Sequence, residues 1–319
     1  MCSVRIRSNA GHIRGRMLEV YVDDSASDAR TDKRLVLAGY IQSAEAWGRL
    51  TEDWTTELAR PPVIASLHMI TCFQGWSEEA REAKIDSLVA VLAKYKPLSI
   101  ECSISRAVHN EELRGRAPYD LRHPYFSCFV GIMYGVARTV LEENLRGPVE
   151  LFFDEQGKVG TDAALWYVPL KHMDSMLADV LGGPPRFASD NEVVPLQTAD
   201  MLAWYVRRAT EARCTARQRE VADALRFCHR RMEIPDSLVK EWGDAFQRVP
   251  GIEDTRGRRG STNKFMQELV VRLPPDRVVP ALNKLARRAT WLRRARSMLK
   301  WLGLERVWKR LAHSKFTIR

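Results

Sequence analysis

The chain has 319 residues, 45% of them hydrophobic and 28% charged, with a formal net charge of +10. That length predicts one substantial domain with appendages, or two domains, and the apolar share suffices for an ordinary core. No run approaches the roughly 18 consecutive apolar residues of a membrane-spanning helix, and the Arg-rich start MCSVRIRSNAGHIRGR lacks the apolar segment of a secretory signal.

In chain order, residues 1–16 read as a disordered basic leader or a mis-assigned start, because Met17 leads directly into the first strand pattern. LEVYVDD (18–24) and RLVLAGYIQ (34–42) are β-branched and aromatic runs around a polar, turn-like SASDARTDK, which predicts an antiparallel hairpin. Ser43 is placed to cap a helix, AEAWGRLTEDWTTELA, that stops at Pro61-Pro62. PVIASLHMI (62–70) is expected to be a third strand, followed by a helix from Ser77 to Tyr95 with Ile85, Leu88, Val89 and Leu92 at helical spacing.

LSIECSIS (98–105) alternates as a strand does, and PYFSCFVGIMYGVARTVLEENL (124–145) is apolar enough for a long buried helix. VELFFDEQ (149–156) is a strand running into carboxylates. TDAALWYVPLKHMDSMLADVL (161–181) is helical with a break or kink expected at Pro169. PRFASD (185–190) is a short strand, and PLQTADMLAWYVRRATEA (195–212) a helix with Pro195 near its first position. Short helical pieces follow, then a Gly/Arg linker, DTRGRRGST (254–262), and a basic helical region. The order describes a mixed α/β core with a helical C-terminal extension.

The six cysteines are scattered without a CxxC pair, which predicts reduced thiols in a cytoplasmic protein. His68 with Cys72, and Cys228 beside His229, lack the second ligand pair that zinc requires. Absence of a Walker A loop, GxGxxG, HExxH or nucleophile elbow argues against NTPases, Rossmann enzymes, zincins and hydrolase-fold esterases.

What remains is a set of acids, each at the end of an element. Asp23 and Asp24 end the first strand, Asp154 and Glu155 end FFDE, and Asp200 lies three residues after Gln197 on one helical face. Any one alone reads as a cap or turn residue; together they form a hard-oxygen donor set suited to Mg²⁺ or Mn²⁺. Two such ions about 4 Å apart activate a water and stabilise the leaving oxygen in phosphodiester cleavage. Strand alternation favours Asp23 and Asp154 as the inward members, since Asp24 and Glu155 continue the more uniformly apolar stripes. His68 is a candidate supporting ligand or general base, and Gln197 a candidate partner of an Asp or a phosphate. Asp190 and Ser25 read as turn residues.

YVDDSASD, LVLAGYI, the LHM around His68, FFDEQ and PLQTADMLAW together resemble the DUF3800 family across about residues 17–210. That family's pattern is a strand ending in Asp-Glu-Ser, a hydrophobic strand, a mid-chain strand ending in Asp and a Gln-x-x-Asp helix. The resemblance implies an RNase H-like fold, a mixed five-stranded sheet flanked by helices, with a two-metal site at Asp23, Asp154 and Asp200. It also places a His at the position of His68. Asp24 stands where the family usually has Glu, and its shorter side chain weakens the case for a metal contact there.

From Lys284 to Arg319 there are twelve Lys and Arg against one acid, Glu305, a net +11; the rest holds 38 basic and 39 acidic residues. Arg287, Arg288, Arg293, Arg294, Arg296 and Lys300 alternate with Leu and Trp, so a helix here is amphipathic and cationic. Such a tail suits a nucleic-acid backbone, an anionic membrane surface or an acidic protein partner; the plain alternative is a helix hairpin packed on the core. The expected organisation is a leader (1–16), an RNase H-like domain (17–212), a helical extension and linker (213–283) and a basic tail (284–319). The expected function is metal-dependent nucleic-acid hydrolysis. The alternatives are a non-catalytic nucleic-acid- or protein-binding module of a mobile-element or defence system, and a hydrolase of nucleotides or other phosphoesters.

Overall fold

A computed structural model of the chain describes residues 17–25, 34–117, 122–145 and 147–247. The leader, the 254–262 linker and the basic tail with Arg287, Arg288, Arg293, Arg294, Arg296 and Lys300 lie outside the described residues.

The strands β1 (Leu18–Ser25), β2 (Arg34–Ser43), β3 (Leu98–Ser105), β4 (Val149–Asp154), β5 (Arg186–Ala188) and β6 (Arg230–Ile234) form one mixed sheet in the order β5-β4-β1-β2-β3-β6. β1, β2 and β3 make an antiparallel meander, while β4 joins β1, β5 joins β4 and β6 joins β3 in parallel. The sheet therefore has six strands, one more than expected. β6 escaped notice because RRMEI is short and mostly charged, and its pairing with β3 is a long-range contact no local pattern carries.

Both faces of the sheet are covered, so the central strands are apolar on both sides, as buried strands must be. One face packs Leu18, Val20, Val22, Leu35 and Ile100 under α4 (Pro124–Glu142), α5 (Gly157–Met173) and α6 (Ser175–Val180), with α3 (Arg106–Leu113) and α9 (Asp236–Gln247) alongside. The other packs Tyr21, Val36, Ala38 and Tyr40 under α1 (Ala44–Ala59), α2 (Glu78–Tyr95), α7 (Pro195–Ala209) and α8 (Ala216–Ala224). Of the described helices, α4 alone is long and apolar enough to cross a membrane by length and composition, and most of it is buried in this core.

Local chemistry sets the helix starts. Ser43 and Ser77 cap α1 and α2, accepting from the Ala46 and Ala80 amides. The predicted break at Pro169 does not occur: α5 runs to Met173, and the interruption falls at Asp174. Its backbone is extended (φ −133°, ψ 121°), and its side chain accepts from the Met176 amide to start α6.

Residues 62–70 are not a strand but a succession of bends and turns. The reason lies in where their amides go. Leu67 N–H donates to the Gln197 side chain and Met69 N–H to that of Asp200, so α7 takes the donors a sheet ladder needs. The end of α1, just before this segment, is held to α2 by Lys84, which is 4% exposed. Its Nζ donates to the Glu57 and Arg60 carbonyls at 2.6 and 2.8 Å, satisfying the end of α1. Lys84→Met takes this donor from the Arg60 carbonyl and leaves the Glu57 carbonyl only the Arg60 amide, and is expected to cost about 1–3 kcal/mol in urea unfolding; an unchanged midpoint would mean that water replaces the ammonium.

Candidate functional site

β1 and β4 lie side by side in parallel, with Tyr21 opposite Phe152 and Val22 opposite Phe153. One more step of that register brings Asp23 beside Asp154 at the carboxyl ends of both strands. Alternation puts both acids on the face where Tyr21 and Phe152 stack, ring centroids 4.7 Å apart, beneath α7. α7 crosses β1 and β2 on that face and is buried all round from Pro195 to Ala203, which carries Asp200 into the same region.

Asp200 Oδ2 accepts the Met69 amide at 2.7 Å and lies 3.5 Å from His68 Nδ1. Asp190, two residues beyond β5, brings its Oδ2 within 3.9 Å of the same nitrogen. The half-exposed His68 thus sits between two carboxylates, and its pKa is raised, first by the hydrogen bond to Asp200 and then by the charges of Asp200, Asp190 and Asp154.

Charge accumulates here faster than it is compensated. Burial pushes the Asp23 carboxyl well above the usual range, and the charges of Asp200, Asp24 and Asp154 push it further. The opposing contribution is the Asp24 amide, 2.6 Å from Asp23 Oδ1. Asp154 is raised to about 6, by burial first and then by Asp190 and Asp200; the Glu155 amide and His68 pull against them. Carboxylates in such company keep their protons more readily than in water.

The other candidates separate. Asp24 follows Val22 onto the opposite face, where its charge is the largest electrostatic influence on the buried Tyr125 hydroxyl. Glu155 is exposed beyond the end of β4. Gln197 bonds neither a carboxylate nor an open space for phosphate: it is 2% exposed and its amide is taken up by Trp54, Ser66, Leu67 and the Asp190 carbonyl. Asp190 lies in a turn, as read from sequence, and it also joins the cluster. The available signal was the one used for its neighbours, an acid just past a strand end in RFASD.

The donors that meet here are hard oxygens with one imidazole, which suits Mg²⁺ or Mn²⁺ and not zinc. Among the described residues, however, no group of three or more His, Cys, Asp or Glu side chains is arranged to hold a metal ion as it stands. Mg²⁺ makes no demand for such a cage, since it is usually held by one or two carboxylates and keeps several waters. Among Asp23, Asp154 and Asp200, one or two carboxylates could supply such ligands. No family model, no curated protein and no solved structure matches the chain.

Proposed function

We propose that the protein is a divalent-metal-dependent nuclease of RNase H-like fold that hydrolyses phosphodiester bonds in nucleic acid. The observation that carries this reading is the placement of the buried Asp23 and of Asp154 at the ends of adjacent parallel strands beneath α7 with Asp200, where burial first and then the neighbouring charges push the Asp23 carboxyl up. Concentrated negative charge at the ends of two adjacent parallel strands is costly unless a cation occupies it. A bound Mg²⁺ or Mn²⁺ there supplies an activated water and a counter-charge for the leaving oxygen. The chain's own part is to hold Asp23, Asp154 and Asp200 at fixed strand and helix positions and to set His68 beside them for proton transfer.

Two further features support the reading. The mixed six-stranded sheet flanked by helices is compatible with the α/β fold that the DUF3800 resemblance implies. The basic segment 284–319 provides charge for a polyanion that the acidic cluster itself would repel.

The test is cleavage of single- and double-stranded DNA, RNA and RNA–DNA hybrids with Mg²⁺ or Mn²⁺. Wild type is expected to cut at least one of them, and Asp23→Asn and Asp200→Asn to abolish the cation-dependent cut. Activity that survives both changes rules out the assignment. A second reading, a non-catalytic nucleic-acid-binding module with the same fold, is favoured by the open arrangement of the carboxylates. It predicts binding without cleavage on every substrate.

A further inference from the structure

Gln197 has four partners in three separate parts of the chain. Its Oε1 accepts from the Trp54 indole and the Leu67 amide, each at 3.2 Å. Its Nε2 donates to Ser66 Oγ and the Asp190 carbonyl, each at 3.0 Å. The orientation of the amide follows from its partners: an indole and a backbone N–H can only donate, and a backbone carbonyl can only accept. Leu67 is next to His68, and Asp190 is itself one of the clustered acids. Asp200, one helical turn from Gln197, takes the Met69 amide on the far side of His68. His68 is therefore bracketed by two amides bound to one face of α7, while the same Gln197 side chain holds the backbone of Asp190.

We propose that Gln197 is a positioning residue: it joins the His68 segment and the Asp190 segment to α7 and so sets both side chains against Asp200. Its role as a positioning residue for catalysis rests on the nuclease reading; its role as the joint between the two segments does not. Neither segment has a sheet ladder to hold it at these points, so the side-chain amide replaces the backbone partner a strand would have had. The acceptor end serves Trp54 and Leu67, and the donor end serves the Asp190 carbonyl and Ser66, whose hydroxyl can turn to donate, so the Asp190 attachment is separable by chemistry. Gln197→Glu keeps both acceptor contacts, to Trp54 and Leu67, but sets a carboxylate oxygen against the Asp190 carbonyl. Gln197→Leu removes all four bonds at similar volume.

The experiment is residue-resolved hydrogen exchange on the full chain, paired with cleavage kinetics. Gln197→Glu is expected to speed exchange of the amides at Asn191, Glu192 and Val193 by about tenfold while leaving Leu67 and Met69 near wild type. Gln197→Leu is expected to speed both sets; if it fails to fold, the Glu variant still decides. Unchanged exchange in the 191–193 segment of the Glu variant, or an equal rise across the whole core, overturns the proposal. In the kinetic arm, Gln197→Glu is expected to lower kcat by about 10- to 100-fold with KM for the polyanion unchanged. Wild-type kcat in that variant also overturns it. Absence of cleavage by wild type itself overturns the nuclease reading and leaves the joint to be judged by exchange alone.

Discussion

Replacing Asp23 by Asn is expected to raise the thermal midpoint of the cation-free protein at pH 7. The Asp23 carboxylate is buried at 8% exposure with three other carboxylates acting on it, and Asn has nearly its shape without its charge. Removing an uncompensated buried charge is worth about 2 kcal/mol, which is roughly 4–8 °C for a domain of this size. The sign has a pH signature. A carboxyl whose native pKa lies above its unfolded value contributes stability that is full below about pH 4 and is lost as pH rises through the native value. The advantage of Asp23→Asn is therefore present at pH 7 and closes on acidification. Asp154, raised to about 6, makes the cation-free protein lose stability in the same direction as pH climbs towards neutrality. Saturating Mg²⁺ or Mn²⁺ should reverse the ranking, because a ligand at a hundredfold excess over its Kd stabilises by about 2.7 kcal/mol and the variant lacks the ligand group. Differential scanning fluorimetry in EDTA and in each cation, from pH 4 to 8, reads all three effects. An Asp23→Asn protein that is no more stable than wild type at pH 7 would show the carboxylate to be compensated, and the cation argument would lose its basis.

Gly39→Ala should be among the most damaging single-methyl changes in the sheet. Gly39 pairs with Val22 on one side and Ile100 on the other, in the middle of the central strand β2. A Cβ there would lie 1.9 Å from the Tyr21 carbonyl oxygen and 2.8 Å from the Val22 Cα. Those atoms are backbone and have no rotamer to move to, so β1 itself must shift immediately before Asp23. The expected cost is about 3 kcal/mol or more, a fall of roughly 6–12 °C in midpoint. Any folded fraction should respond less to Mg²⁺ or Mn²⁺, because the strand that carries Asp23 has been displaced. Gly48→Ala is the control: it sits exposed in α1 with nothing within 4 Å of its Cβ, and is expected to gain about 0.5–1 kcal/mol. Equal midpoints for the two variants would contradict the close approach at Gly39.

The resemblance of these effects to sequence expectation is uneven. The hairpin, the capped starts of α1 and α2, the buried α4 and the Pro-led α7 were legible because alternation, helical spacing and Ser caps are local signals that tertiary contacts did not overrule. The spacing of Gln197 and Asp200 also placed them on one face, and both reach the same segment, at Leu67 and Met69. Residues 62–70 misled because an apolar run with a β-branched residue looks like a strand whether or not a neighbour offers a ladder. Here the offered partners were side chains on α7, more than a hundred residues away. Pro169 misled in the opposite way, since a helix held by its surroundings can continue through a residue that would end it in isolation.

At the level of the site, the order of residues already showed acids at the ends of apolar elements, and alternation separated Asp23 from Asp24. Which ends meet is settled by long-range packing. The parallel register of β1 with β4 puts Asp23 next to Asp154, and the path of α7 across that face adds Asp200. The turn after β5 turns Asp190 from a loop residue into a neighbour of His68. The physical reason is that a single carboxylate at a strand end is unremarkable in water. Its raised pKa comes first from burial and then from other carboxylates, most of them far away in sequence, and only the folding of the chain supplies either.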